Sequence, residues 1–199
     1  MKFLGHDKLF VRFISLYTLG LVFFFISWTL SYFFMPEGIL RGGGLLTALA
    51  GDTAADTLGL ETMKIFIINI VGMLFIVGSN YILRVKYFSY GYLVVLAWMI
   101  MYGAILGTNS FSIPLKETMA PTIAVFRRSG LYEMMAGALI AVATDSISIN
   151  KSDSFFSTSK PVPKNKRQSI KKDEWIAIGV AVLILFGSAL REAYMITNL

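Results

Sequence analysis

Residues 63–107, MKIFIINIVGMLFIVGSNYILRVKYFSYGYLVVLAWMIMYGAILG, decide the fold. They form two apolar runs, 63–83 and 90–107, separated only by Arg84, Lys86 and a few other residues. Each run is close to the roughly 20 residues that a helix needs to cross a hydrocarbon core of about 30 Å. Because the interruption is too short for a soluble domain, we expect two antiparallel transmembrane helices.

The same pattern recurs on both sides of this hairpin, in residues 13–35, 131–147 and 175–196. The 199-residue chain is 56% hydrophobic and 15% charged, whereas soluble domains carry about 25% charged residues. The sequence therefore predicts an all-α integral membrane protein with about five transmembrane helices, whose backbone polar groups bond within the helices.

Three regions follow from this pattern. Residues 1–147 form a membrane core with helices at about 13–35, 63–83, 90–107 and 131–147. Residues 148–174 form a basic loop, and residues 175–199 contain the fifth helix and a short C-terminus.

The first apolar run could be mistaken for a secretory signal, since Lys2, Lys8 and Arg12 precede it. Signal sequences, however, have apolar stretches of about 7 to 15 residues. This run is longer and ends at Pro36-Glu37-Gly38 without a small-residue cleavage site. We interpret it as a retained first helix.

The distribution of basic residues predicts the orientation. Three of the 18 Lys and Arg residues precede the first helix, two lie in the hairpin turn and seven lie in the loop before the fifth helix. Cytoplasmic loops carry an excess of Lys and Arg. We therefore expect a multi-pass protein of a prokaryotic cytoplasmic membrane, with a cytoplasmic N-terminus and an external C-terminus.

The two predicted outer loops, after the first and third helices, contain short apolar segments. After Arg41-Gly42-Gly43-Gly44, the apolar patch at 45–49 fits either a helix in the membrane interface or a flexible loop. Residues 108–129 carry two prolines around the apolar stretch 123–126, which is too short to span a membrane. Irregular backbone is not tolerated in lipid, so we expect a re-entrant or interfacial segment before helix 4.

The first of these connections also carries Asp52 and Asp56, which are four residues apart. Such a pair could belong to a cation site. Without a third ligand, a solvated acidic face is the simpler interpretation.

The loop at 148–174 is polar, basic and without hydrophobic periodicity, which predicts a flexible cytoplasmic segment. Its cations set the topology and attract anionic lipid headgroups, or they form a docking site for a cytoplasmic protein. Because they lie between two apolar runs, a nucleic-acid partner is not expected. The candidate docking residues are Lys164, Lys166, Arg167, Lys171 and Lys172.

Two amides interrupt the second helix. Asn69 and Asn80 are eleven residues apart, which returns to nearly the same helix face. Amides in lipid need partners, so these residues either bond to neighbouring helices for assembly or line a polar path.

Glu133 is the acid closest to an apolar run, two residues into the fourth helix. Intramembrane acids are candidate functional residues. One interpretation is that Glu133 reaches the headgroups or pairs with Arg127 or Arg128. The alternative is a buried acid that bonds to Asn69 or to the re-entrant backbone.

Small residues mark the helix contacts. Gly103 and Gly107 have the spacing that lets two helix backbones approach closely, and the fourth helix contributes Gly130 and Gly137 as further small residues. Such small residues predict a tightly packed bundle, and packing within the chain is the favoured explanation, although spacing alone does not separate it from contacts in a dimer.

No catalytic apparatus is apparent. The chain has no cysteine and one histidine, His6, and it contains no hydrolase, zinc-protease or phosphate-loop motif. We expect no enzymatic activity, no cofactor and no bound metal.

Four short motifs resemble the stage II sporulation protein M family. They are Phe33-Phe34-Met35-Pro36-Glu37-Gly38, Glu61 with Asn69, Gly103 to Thr108, and Ser129-Gly130-Leu131-Tyr132-Glu133-Met134. The similarity covers about residues 10–147, and its most specific element is Gly-x-x-Glu at Gly130 to Glu133. The family commonly has Pro-His before that glycine, where this chain has Arg128-Ser129.

The resemblance implies a polytopic prokaryotic membrane protein without known enzyme activity. Members of the family resemble scaffolds that recruit peptidoglycan-remodelling partners, or they accompany ATP-binding-cassette transport systems and bacteriocin export. The leading hypothesis is thus a scaffold or membrane subunit of a multiprotein assembly, whose partners include lipids, other membrane or cytoplasmic proteins, and a nucleotide-binding transport subunit. The rival is an autonomous small transporter or channel lined by Glu133, Asn69 and Asn80.

Overall fold

The structure is a computed structural model and describes residues 2–42, 53, 55–154 and 156–197. Within these ranges the chain forms five α-helices and four short strands. The helices are α1 (Leu9–Phe34), α2 (Leu58–Ile82), α3 (Tyr90–Gly107), α4 (Gly130–Ala143) and α5 (Lys172–Thr197).

Four of these helices, α1, α2, α3 and α5, are long and apolar enough to cross a membrane. α4 has 14 residues, about 21 Å at 1.5 Å per residue. Its shortness is explained by its position, since α4 contacts all four other helices and has 11 buried residues. The described residues thus form a helical bundle of membrane-protein character.

α4 ends four residues before the predicted boundary at residue 147. The Thr144 hydroxyl donates a hydrogen bond to the Ile140 carbonyl (2.8 Å), and a short 3-10 turn, Asp145–Ile147, follows. The helix stops here because Asp145 turns towards Arg12 and Arg84. The sequence pattern missed this, because the predicted helix was extended through Asp145 and Ser146 to Ile147.

Two helix starts use side-chain caps. The Thr57 hydroxyl accepts a hydrogen bond from Leu60 N (3.3 Å) before α2, and the Glu174 carboxylate accepts one from Lys171 N (2.8 Å) at the start of α5. These bonds satisfy amide groups that have no partner within a helix. Both helices therefore begin earlier than their apolar runs.

A small sheet, which the all-α prediction did not include, closes one end of the bundle. Its strands are β1 (Arg84–Val85), β2 (Phe88–Ser89), β3 (Asn150–Ser152) and β4 (Lys160–Pro161), in the order β2-β1-β3-β4. The β1–β2 and β3–β4 pairs are antiparallel, and β1–β3 is parallel. The sheet joins the turn between α2 and α3 to the basic loop, and we call this the sheet end.

The opposite end of the bundle, the far end, contains the segment at 108–129. Its backbone packs against α1, since Trp28 Nε1 donates a hydrogen bond to the Met119 carbonyl (2.9 Å). A 3-10 turn, Ile123–Arg127, follows, with Val125 fully buried. The position of the segment at 108–129 relative to a bilayer, whether re-entrant or interfacial, stays a prediction. The apolar patch at 45–49 and Asp52 lie outside the described residues.

Candidate functional site

Two polar clusters among the described residues bear on the candidate site, one at each end of the bundle. The sheet-end cluster has Arg12 at its centre, a residue of α1 that is 8% exposed. Its guanidinium lies 3.6 Å from Asp145 Oδ2 and 3.6 Å from Glu174 Oε1, and it donates to the Val142 carbonyl (3.1 Å). One cation therefore joins α1 to the end of α4 and the start of α5.

Asp145 collects three partners in this cluster. Besides Arg12, the Arg84 guanidinium lies 3.8 Å from Asp145 Oδ2, and the Tyr92 hydroxyl donates to the same oxygen (2.9 Å). Asp145 is 2% exposed. A buried carboxylate is tolerated when it is paired and hydrogen-bonded, and this one is held by residues from three other elements.

A polar cavity of about 530 Å³ opens beside this cluster. Its walls come from the N-terminal segment, from the strands β1 and β3, and from the residues that lead into α5. Several of its lining residues are cationic, among them Lys86, Lys151 and Lys171. The sheet end thus combines a closed ion network with an open, solvent-accessible space.

The far-end cluster is built around Glu133 in the first turn of α4. Its carboxyl group lies beside the carboxyl group of Glu192 and the side-chain amide of Asn69. Ser188 Oγ donates a hydrogen bond to Glu133 Oε1 (3.3 Å). Ser129 Oγ donates to Glu192 Oε2 (3.3 Å). Among the described residues, no ion pair joins Glu133 to Arg127 or Arg128.

Arg128, a cation that lines the far-end cavity, contacts aromatic rings instead. Its guanidinium lies 5.4 Å from the centre of the Phe111 ring and interacts with Tyr102. A cavity of about 280 Å³ reaches from these residues to Glu133 and Glu192. Glu133 thus lies beside Asn69 and Glu192, and whether it reaches the lipid headgroups stays a prediction.

The contact between Asn69 and Glu133 is loose. The Asn69 Nδ2 atom is buried, yet no acceptor lies within hydrogen-bond geometry. Asn69 therefore faces the far-end acids without being locked to them.

Asn80 occupies a different setting, near the sheet end. Its Nδ2 donates to the Ala141 carbonyl and the Thr144 hydroxyl, both at 2.8 Å. Its Oδ1 accepts from Gly91 N (2.8 Å) and from the Ser89 hydroxyl. Asn80 is fully buried and bonds to both neighbouring helices, which is the assembly role considered for it.

An apolar layer separates the two clusters. Met73 and Ile76 lie between the two asparagines on α2, and they pack in one buried cluster with Val95, Met99 and Leu139. Each of these side chains is less than one-tenth exposed. In this conformation Glu133, Asn69 and Asn80 do not line one continuous path.

The four predicted packing glycines all lie at helix contacts within the chain. A Cβ atom on Gly103 would lie 2.5 Å from the Phe24 carbonyl of α1, and one on Gly107 2.7 Å from that of Trp28. Gly130 packs on Tyr102, while Gly137 faces Ile76. Their spacing therefore serves contacts inside the bundle.

The candidate docking cations are exposed and precede or begin α5. Lys164 and Lys166 lie in a 3-10 turn, Arg167 follows it, and Lys171 and Lys172 lie at the start of the helix. Arg167 Nε donates to the Val162 carbonyl (3.2 Å), which ties the turn to the strand β4. The loop contains strands that its polar sequence did not predict.

The sheet-end network was not among the predicted features. Its signal was nevertheless present, because Arg12 opens the first apolar run, Asp145 closes the fourth and Glu174 opens the fifth. Because successive helices run in opposite directions, these three residues lie at the same depth, at one end of the bundle. Opposite charges at one depth of a bundle predict pairing.

Comparisons with protein-family models, curated proteins and solved structures found no match for this chain.

Proposed function

We propose that this protein is a non-enzymatic membrane subunit that assembles with other proteins, as a scaffold or as part of a transport system. The observation that carries the proposal is the apolar layer of Met73, Ile76 and Leu139 between the two polar clusters. A channel that conducts a solute alone needs an open route between its ends, and this layer closes such a route in the conformation described.

The basic loop supports the same proposal. Lys164, Lys166 and Arg167 are exposed, and they lie between strand β4 and α5. Cations on a supported loop favour encounter with an acidic protein surface. With the orientation expected from the basic residues, the partner is cytoplasmic.

The proposal includes the resemblance to the stage II sporulation protein M family, which suggests two classes of partner for this chain. They are a nucleotide-binding subunit of a transport system and a peptidoglycan-remodelling assembly.

Photocrosslinking in native membranes tests the proposal. A photoreactive residue replaces Asn165, which lies between two exposed lysines. We expect one discrete protein adduct, which is lost in the variant Lys164→Gln/Lys166→Gln/Arg167→Gln. A photoreactive residue at Ile113, at the far end, is the control and is expected to give a different adduct pattern.

A second candidate, an autonomous transporter, is favoured by the far-end cavity that reaches Glu133 and Glu192. Such a cavity is the form that a half-open access route would take. Purified protein in liposomes discriminates the two candidates. Solute or proton flux without any partner, abolished by Glu133→Gln, would establish the transporter and reject the subunit role.

A further inference from the structure

The sheet-end cavity has unused hydrogen-bond donors in its wall. Ser146 is 6% exposed and lines the cavity, yet its Oγ has no hydrogen-bond partner. Arg12 Nε also lines the cavity and makes no hydrogen bond, although it is ion-paired with Asp145. Buried donors without partners are uncommon in proteins and call for an explanation, such as a ligand or an ion.

The charges of the wall favour an anion. Five cationic side chains and four acids line the cavity. Two of the acids, Asp145 and Glu174, are already paired with arginines. What remains are three lysines, Lys86, Lys151 and Lys171, against the exposed acids Asp7 and Asp153.

The backbone holds two of these lysines in place. Arg84 pairs with Lys151 in the β1–β3 register, and Lys86 follows at the turn after β1, with a φ of 49°. Its backbone N donates to the Ser152 carbonyl (2.8 Å). Lys86 and Lys151 therefore project from one fixed piece of sheet.

An apolar groove of about 230 Å³ adjoins the cavity. The groove shares Lys86, Tyr87 and Asp153 with the cavity and is otherwise mostly apolar, with Leu4, Val85, Phe88 and Phe156 among its lining residues. Phe156 is fully exposed. A polar, cationic space that continues into an apolar groove matches a ligand with an anionic head and an apolar body.

We propose that the sheet-end cavity binds the phosphate of an anionic phospholipid headgroup, with the apolar groove taking the adjoining part of the lipid. Ser146 and the three lysines donate to the phosphate oxygens. Basic pockets at the membrane surface of helical bundles suit such headgroups. A free phosphate offers the same oxygens but leaves the groove empty.

Binding to the purified full-length protein in neutral detergent tests this site. The probes are short-chain phosphatidylglycerol, phosphatidylcholine with the same chains, and inorganic phosphate. We expect phosphatidylglycerol to bind roughly tenfold or more tightly than either of the others. Equal binding of both lipids would overturn the anionic site, and equally tight binding of phosphate would overturn the lipid as its ligand.

Two triple variants separate this site from general charge attraction. Lys86→Gln/Lys151→Gln/Lys171→Gln removes the cavity cations, which are exposed and outside the core. We expect roughly tenfold weaker binding or more. Lys164→Gln/Lys166→Gln/Arg167→Gln removes the same charge from the loop. We expect this variant to bind phosphatidylglycerol less than about twofold more weakly than the unmodified protein. Equal losses in both variants would overturn the discrete site.

A pair of serines offers a finer test. Ser146→Ala removes the unpartnered hydroxyl in the cavity, whereas Ser148→Ala removes a buried unpartnered hydroxyl that does not line it. Severalfold weaker phosphatidylglycerol binding is expected for Ser146→Ala alone, with the Tm of the lipid-free protein unchanged or raised in both. Unchanged affinity in Ser146→Ala would remove this serine from the site.

Discussion

Asp145 at the sheet end lies 3.6 Å and 3.8 Å from two guanidinium groups, whereas Glu133 at the far end faces the carboxyl group of Glu192. Asp145 also accepts a hydrogen bond from the Tyr92 hydroxyl (2.9 Å). Glu133 instead accepts a hydrogen bond from the neutral Ser188 hydroxyl (3.3 Å). Two acids of one bundle thus occupy opposite electrostatic settings.

The difference assigns different roles to the two ends. The sheet-end network joins α1, α3, α4 and α5 through charges that are already paired, so it fixes how the helices meet. The far-end acids lie side by side on a cavity, and no ion pair joins them to a cation among the described residues. The paired charges and the acids without a cation are therefore separated along the bundle axis.

The largest expected effect breaks the sheet-end network. Arg12→Met leaves Asp145 and Glu174 buried without their shared cation, although Arg84 still contacts Asp145. Removing one partner of a buried pair costs about 3 to 5 kcal/mol. We expect a large fall in the Tm of the detergent-solubilised protein, measured by scanning fluorimetry.

Lys8→Met is the matched control for this change. Lys8 immediately precedes α1 and is exposed, so its loss removes the same charge at the same end of the bundle. Its Tm should remain close to that of the unmodified protein. A comparable fall in both variants would show that total charge, and not the paired network, stabilises this end.

A second comparison sets Asn80 against Asn69 on the same helix. Asn80→Ala removes four hydrogen bonds and leaves Gly91 N and the Ala141 carbonyl without their partner. Buried groups left unsatisfied cost about 1 to 3 kcal/mol. Asn69→Ala removes an amide whose Nδ2 has no hydrogen bond, and we expect a change below about 1 kcal/mol.

Urea or thermal unfolding in detergent measures both changes on one scale. Ser79→Ala controls for the loss of a polar group from α2, because its hydroxyl bonds only to the Phe75 carbonyl of its own helix. If Asn69→Ala were as destabilising as Asn80→Ala, the far end would be as rigidly bonded as the sheet end.

The helices were predictable because lipid exposure imposes long apolar runs. The hairpin helix at Tyr90–Gly107 has the predicted bounds, since Ser89 and Thr108 interrupt the run on both sides. The short sheet was not predictable, because two-residue strands such as Arg84–Val85 carry no periodicity and depend on a partner about 65 residues away, Asn150–Ser152.

The candidate site was predictable only in part. Glu133 and Asn69 could be selected because each interrupts an apolar helix, and the structure places them together. Glu192 escaped notice, since it lies close to the end of the fifth run, where acids are usual. Its role depends on the direction in which α5 packs against α4, which a single sequence does not specify.

The smallest expected effect concerns the far-end acids themselves. Glu133→Gln removes one of two adjacent carboxyl groups but keeps an oxygen that accepts from Ser188, so it relieves repulsion without losing that bond. We expect a stabilisation below about 1 kcal/mol at neutral pH, the opposite sign to the loss of Arg12. Ser188→Ala, which removes the donor and leaves both acids, is the control and should lower the Tm slightly. A destabilised Glu133→Gln variant would mean that the Glu133 charge is paired, as that of Asp145 is, and the contrast between the two ends would fail.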